Sequence, residues 1–150
     1  MKICMIGTGY VGLVSGTCFS ELGNHVVCVD INKKKIQDLN NGIIPIYEPG
    51  LKEMILRNKN QKRLNFTNDI NYSIKKSDII FICVGTPTIK STNKANLKYV
   101  FDVVKNIKNN LNKYKVIVTK STVPVTTGDK IEKLLNSKKN RNKFDVVSNP

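Results

Sequence analysis

The chain lacks any apolar run approaching the roughly 18 residues that a membrane-spanning helix needs. Met1-Lys2-Ile3-Cys4-Met5-Ile6 opens with a charge and an apolar stretch, but the stretch stops at Gly7. It is too short for the core of a secretory signal. The four cysteines, Cys4, Cys18, Cys28 and Cys83, form no Cys-x-x-Cys pair. Zinc ligation therefore has no support, and no metal site is expected. The cysteines read instead as small, reduced, buried hydrophobes. Acidic residues are scarce, 11 against 25 lysines and arginines, for a formal net charge of +14. Such a balance can signal a nucleic-acid partner. Here the lysines are scattered and asparagine is abundant beside them, which reads as compositional bias. The densest cluster is Lys138, Lys139, Arg141 and Lys143. No aromatic residues interleave with it as a single-strand binder would want, so a solvated loop is expected there. The expectation is a soluble, cytoplasmic protein without a nucleic-acid or membrane partner, whose positive field suits anionic ligands.

No linker and no internal repeat divide the chain. Its 150 residues, 40% of them apolar, suffice for one domain with its own core. Five apolar runs stand out: Ile3 to Ile6, Val26 to Val29, Ile79 to Val84, Val116 to Val118, and Phe144 to Val147. A weaker one lies at Leu64 to Thr67. Runs without polar alternation predict strands covered on both faces, as in a parallel sheet. Helical spacing lies between them. Leu97, Val100, Val104, Ile107 and Leu111 form one apolar stripe, and Val11, Val14, Cys18 and Leu22 predict another. Gly23 is placed to end that helix in a left-handed cap. Shorter helices are predicted around Ile36 and Leu39, after Pro49-Gly50-Leu51, and around Ile131, Leu134 and Leu135. The alternation predicts an α/β fold with a doubly wound, mostly parallel sheet of the Rossmann type.

Gly7-Thr8-Gly9-Tyr10-Val11-Gly12 is a G-x-G-x-x-G run between a buried strand and a helix, and Asp30 closes the next strand. That is the context the dinucleotide fingerprint requires. Gly7 permits the tight turn, Gly9 leaves room for a pyrophosphate, and Gly12 allows close packing of helix on sheet. The helix N-terminus offers free N–H groups and partial positive charge to phosphates. Asp30 is expected to accept hydrogen bonds from the adenosine ribose, which favours NAD over NADP. Lys33, Lys34 and Lys35 pull the other way, since a nearby cation could hold a 2′-phosphate. FAD sites share the fingerprint, so both dinucleotides fit these residues. The bland alternative is a plain turn, with Asp30 capping the following helix.

At this point the chain resembles the UDP-glucose/GDP-mannose dehydrogenases. The resemblance rests on Ile6 to Val14, on Leu39-Asn40-Asn41-Gly42 with Pro45-Ile46-Tyr47-Glu48-Pro49-Gly50-Leu51, and on Phe81 to Thr88. Ser121-Thr122-Val123-Pro124-Val125 and Ser148-Asn149-Pro150 follow in family order. The opening and the Pro-Ile-Tyr-Glu-Pro-Gly run look most like the UDP-glucose branch, with the GDP-mannose and UDP-N-acetylmannosamine branches as alternatives. The resemblance implies two successive NAD-dependent oxidations of a sugar 6-alcohol to a carboxylate, UDP-glucose to UDP-glucuronate in that branch. It also implies a homo-oligomeric full-length enzyme.

By that resemblance, Gly7, Thr8, Gly9, Tyr10, Val11 and Gly12 hold the pyrophosphate, and Asp30 holds the ribose with Lys35 close by. Val84, Gly85, Thr86 and Pro87 line the cofactor site, with Ser121 and Thr122 at the same sheet edge. Thr122 would help place a water or polarise the reacting oxygen; a turn or cap is its plainer reading. Asn96 stands where the family often has Asp, Thr126 where it commonly has Gly, and Lys90 to Lys94 make an unusual polar loop. The family's nucleophilic cysteine, catalytic lysine and sugar-binding domain match nothing in these residues, so a domain or truncated product, inactive alone, is expected. A stand-alone nucleotide-binding module without catalysis is the alternative from another class.

Overall fold

The computed structural model describes residues 1–150. Strand β1 (Lys2–Ile6) leads into α1 (Tyr10–Glu21), β2 (His25–Val29), α2 (Lys33–Asn40), α3 (Leu51–Asn60) and β3 (Leu64–Thr67). Helix α4 (Ile70–Lys76), β4 (Ile79–Ile82), a short ribbon of β5 (Thr88–Ile89) and β6 (Lys94–Ala95), and α5 (Lys98–Asn110) follow. Strand β7 (Lys115–Thr119), α6 (Thr127–Leu135) and β8 (Phe144–Ser148) complete the chain. Six strands pair in parallel in the order β3-β2-β1-β4-β7-β8. The chain runs outward from β1 to one edge, returns to the far side of β1, and runs to the other edge. The order reverses between β1 and β4, where open α/β sheets bind their ligands. No helix is long and apolar enough to cross a membrane.

The continuous apolar strand runs reflect a sheet covered on both faces. Successive residues of β1 point opposite ways. Ile3 and Met5 join Leu13, Ile36, Leu51 and Ile55 beneath α1, α2 and α3. Cys4 and Ile6 join Ile74, Val104, Ile107 and Ile131 beneath α4, α5 and α6. Strand β4 stops at Ile82, so Cys83 and Val84 belong to the connection beyond it. Lys90 to Lys94, expected as an open loop, make the tip of the antiparallel β5–β6 ribbon. Asn96 takes over what an aspartate would do, its side-chain oxygen accepting from the Lys98 N–H at 3.0 Å as α5 begins.

The apolar stripe predicted for α1 is corrected. Val11 and Cys18 are exposed, Leu22 is 78% exposed, and Val14 is only partly buried. The face turned to the sheet is Leu13, Gly16, Thr17 and Ser20. The reason is distance. A Cβ on Gly16 would lie 2.8 Å from the Cys28 sulfur and 3.0 Å from Met5 Cγ. The helix sits too close to the sheet for branched side chains, and its small hydroxyls bond its own backbone, Thr17 to Leu13 and Ser20 to Thr17. Cys18 is accordingly no core residue, unlike Cys4 and Cys28. Gly23 ends the helix at φ +88° as expected.

Lys115 is the largest side chain with no exposed surface. Its ammonium donates to the carbonyls of Ser77 at 2.5 Å and Lys75 at 3.4 Å, around the C-terminal end of α4. Unpaired carbonyls there favour a cation, while burial pulls the Lys115 pKa down to about 8.

Thr126 precedes α6 with φ +72°, in the left-handed region. Residues with a Cβ pay roughly 1–2 kcal/mol there, and β-branched ones are genuine outliers. A position of this shape suits the glycine that the resemblance leads one to expect. Thr126→Gly is therefore expected to stabilise the fold by up to about 1 kcal/mol, the relieved strain less the entropy glycine adds to the unfolded chain. Urea unfolding checks this; an unchanged or lower midpoint would show that the threonine is not strained.

Candidate dinucleotide-binding site

The turn after β1 is built by exclusion of side chains. Gly7 has φ +104° and donates its N–H to the Val29 carbonyl at 2.7 Å, tying the turn to the end of β2. A Cβ on Gly12 would lie 1.9 Å from the Gly7 carbonyl oxygen. The turn and the first coil of α1 are thus pressed together beneath the end of β4. Gly9 is different, because a Cβ there would meet nothing within 4 Å. Its glycine leaves open space in front of the helix. The amides of Tyr10, Val11 and Gly12 donate to nothing within the chain. Unpaired amides beside open space form an anion site.

Asp30 lies across from this turn. Its Oδ2 accepts from the Thr8 N–H at 3.0 Å, the Thr8 hydroxyl at 2.7 Å and the Lys35 ammonium at 3.1 Å. Its Oδ1 accepts from the Asn32 N–H at 3.0 Å. Burial works to raise the carboxyl pKa; the Asn32 amide, the Thr8 hydroxyl and amide, and the Lys35 ammonium outweigh it and hold the group below its ordinary value. Of the three successive lysines, Lys35 is engaged with Asp30 and Lys34 with Asp38.

A cavity of about 540 Å³ opens between the ends of β1, β2 and β4 and helix α5. Gly7, Gly9, Asp30, Lys35, Val84 and Gly85 line it, a group that the sequence placed together. Its far wall was not anticipated: Asn68 comes from the connection before α4, Ile70 from the first residue of α4, and Tyr99, Asp102 and Asn106 from α5. A signal for α5 existed, since Tyr99, Asp102, Val103 and Asn106 recur at helical spacing beside the apolar stripe. Asn68 also donates to the Asp30 carbonyl at 2.7 Å, bracing the end of β2.

The other predicted residues stand outside this cavity. Thr8 is buried against Asp30, and Gly12 is buried under the turn. Tyr10 and Val11 are exposed at the start of α1, where the Tyr10 hydroxyl bonds Glu48 in the loop before α3. Ser121 is buried and donates to the Val84 carbonyl at 2.7 Å, clipping the ends of β4 and β7 together. Thr86 donates to the Thr122 carbonyl at 3.0 Å, and the Thr122 side chain is exposed. The Pro87 carbonyl accepts from the Asn96 N–H, closing the ribbon. These residues form a rim further along the same sheet edge. Burial pushes the Cys4 and Cys28 thiols far up and Cys83 up to about 12, so none of these three is a ready thiolate. No three His, Cys, Asp or Glu side chains gather where they could hold a metal ion.

Residues 1–150 match the model of the UDP-glucose/GDP-mannose dehydrogenase family, NAD binding domain. UDP-glucose 6-dehydrogenase TuaD of Bacillus subtilis (strain 168) is 58% identical over 150 residues, covering 99% of this chain and 32% of that protein. A UDP-glucose dehydrogenase structure from the hyperthermophilic archaeon Pyrobaculum islandicum superposes with a TM-score of 0.91 at 33% identity, covering 99% of this chain and 35% of that one. GDP-mannose dehydrogenase from Pseudomonas aeruginosa superposes with a TM-score of 0.91 at 34% identity, covering 100% and 36%. The chain spans about a third of the length of these relatives.

The two glycines should separate fold from binding. Gly12→Ala forces a Cβ into backbone and is expected to destabilise by about 3 kcal/mol or more. Gly9→Val is expected to leave thermal unfolding nearly unchanged while weakening dinucleotide affinity at least about tenfold, on the order of 1.4 kcal/mol. Melting curves and calorimetry on both variants check this. Native affinity in Gly9→Val would mean that the ligand does not cross this turn.

Proposed function

The chain belongs to the UDP-glucose/GDP-mannose dehydrogenase family as its NAD-binding domain, and from that premise we propose that it holds the cofactor for a UDP-glucose 6-dehydrogenase. The observation that carries this reading is the pairing of an ionised, part-buried Asp30 with free amides across an open turn. The residues fit the cofactor. The amides of Tyr10, Val11 and Gly12 would hold the pyrophosphate over Gly9, and Asp30 the adenosine ribose. The apolar stretch of the cavity around Ile70, Val84 and Val103 would receive the adenine. NAD, when bound, supplies the hydride acceptor. The chain's own task is to fix the cofactor along the sheet edge, so that its reactive end reaches the rim formed by Thr86, Ser121 and Thr122. Ser121 holds that rim rigid by bonding the end of β4. The exposed Thr122 hydroxyl is available there to place a water or polarise a reacting oxygen.

UDP-glucose as the substrate of the whole enzyme is supported by the 58% identity to TuaD. The fold is neutral on the sugar, because the UDP-glucose and GDP-mannose enzymes superpose equally well. A homo-oligomeric, cytoplasmic enzyme that acts without nucleic acid belongs to the same proposal. It draws on the resemblance and on the scatter of the basic residues.

Asp30→Ala is expected to weaken NAD about tenfold while NADP changes less, because only the ribose diol needs the carboxylate. Calorimetry with both cofactors, on protein shown folded by its melting curve, checks this. Equal affinity for the two cofactors in the unmutated chain would refute the role of Asp30.

Making an acid from an aldehyde needs a thiolate to hold the carbon covalently before the second hydride leaves. Cys4, Cys28 and Cys83 are held as thiols by burial, and Cys18 lies on the outward side of α1. Every hydride transfer, the first included, also needs the sugar held against the nicotinamide, a task the resemblance gives to the sugar-binding domain. These 150 residues, purified alone, are therefore expected to bind NAD and to produce no NADH from UDP-glucose. Absorbance of NADH settles it; turnover abolished by Cys83→Ser would overturn this placement of the chemistry.

A further inference from the structure

The hydrogen bonds of Asp30 are unevenly shared between its two oxygens. Oδ2 accepts three, at 2.7 and 3.0 Å from Thr8 and 3.1 Å from Lys35, while Oδ1 accepts one, at 3.0 Å from Asn32. A carboxylate offers about four lone-pair sites, about two to each oxygen. Oδ2 is saturated, and the remaining lone pair belongs to Oδ1. We infer that Thr8 is a positioning residue for the adenosine ribose of NAD: by gripping Oδ2 it leaves Oδ1 as the oxygen presented to the 2′-hydroxyl. The inference rests on the reading of Asp30 as the ribose acceptor.

Three observations carry it. Thr8 is 2% exposed, so its side chain has almost no surface with which to touch a ligand itself. It directs two donors, one from the backbone and one from the side chain, at a single oxygen across 22 residues of sequence. The torsion that sets an aspartate's carboxylate plane is broad and two-fold, so an ungripped carboxylate would rotate freely. The Asn32 amide pins Oδ1 from the other side, and Lys35 adds little to hold Oδ2. Its side chain is 30% exposed, and a flexible ammonium follows the oxygen it bonds. Thr8 is anchored by the Gly7 turn on one side and α1 on the other, and supplies the rigid half of the grip. The second position of the G-x-G-x-x-G run, where the pattern itself asks for no particular residue, thus acquires a function here.

The test uses the purified chain, calorimetry and three ligands: NAD, NADP, and NAD lacking the 2′-hydroxyl of its adenosine ribose. Thr8→Val keeps the shape and removes only the hydroxyl; Thr8→Ser restores it. Thr8→Ala gives the same reading should the valine variant fail to fold. Thr8→Val is expected to bind NAD about fivefold more weakly, the deoxy analogue and NADP with little change, and Thr8→Ser within about twofold of the native chain. Unchanged NAD affinity in Thr8→Val, or equal losses for NAD and the deoxy analogue, would overturn the inference while leaving Asp30 as the ribose acceptor. If the unmutated chain binds NAD and the deoxy analogue equally, the role of Asp30 falls first and the inference with it.

Discussion

No side chain fits at Gly12, and most of the site's geometry follows from that contact. The Gly7 carbonyl occupies the space a Cβ would need, so the turn folds directly onto the first coil of α1. Gly16, one turn further on, continues the close approach against Cys28 and Met5. The helix is thereby drawn down onto the sheet, and its free amides come level with the ends of β1, β2 and β4. Ile6 pairs with both Val29 and Ile82, so those three strands end at one height. Placed any higher, α1 would carry its partial positive charge away from the crevice between β1 and β4. The exposed Val11 and Leu22 are a consequence of the same approach. A helix that touches the sheet through glycine, threonine and serine must leave some of its larger apolar residues outside.

Along the crevice the charge changes sign. One end is the amide cluster before α1, where anions are favoured. The other is Asp30, where burial and hydrogen bonding oppose each other and hydrogen bonding prevails. A ligand with two phosphates joined to a neutral diol matches that polarity in one direction only. Two unit charges about 4 Å apart interact by about 4 kcal/mol in a partly exposed site, so a phosphate on the diol would be strongly disfavoured beside the carboxylate. Lys35, 3.1 Å from the same carboxylate, reduces that repulsion, so the preference for the free diol is smaller than the carboxylate alone would give.

What could be read in advance was whatever depends on local order. Five of the six strands of the sheet, the sixth as a weaker run, the glycine turn and Asp30 all leave a trace in runs of adjacent residues. Cys18 and Val11 misled because spacing of three and four marks a stripe without saying which stripe faces inward, and here close approach overrode hydrophobicity. The wall formed by Tyr99, Asp102 and Asn106 was hidden for another reason. Its residues meet the glycine turn only because β4 lies beside β1, a long-range pairing that no window of sequence contains. Ser121 joined Thr122 through resemblance alone; its burial against the Val84 carbonyl depends on β7 following β4 in the sheet. Thr126 could be recognised as unusual, but not as strained until its φ was known.

The large positive charge of the chain can now be separated from its selectivity. Of the side chains lining the cavity, Lys35 and Lys98 are cationic and Asp30 and Asp102 anionic, so the cavity itself is balanced. The excess of lysine lies elsewhere on the surface, where solvent and salt screen it within about 10 Å. Such a field draws anionic ligands toward the protein and raises the encounter rate, but it cannot tell one dinucleotide from another. On the proposed reading, discrimination rests on groups whose charge is fixed in place, the α1 amides and the gripped carboxylate of Asp30. The amides belong to the first turn of α1, and Asp30, directly after β2, is held by four hydrogen bonds and part-buried, where an electrostatic contact keeps its strength. A chain of this family with far fewer lysines would lose association rate and keep its preference, provided that Gly12 still admitted the turn and Thr8 still held the aspartate.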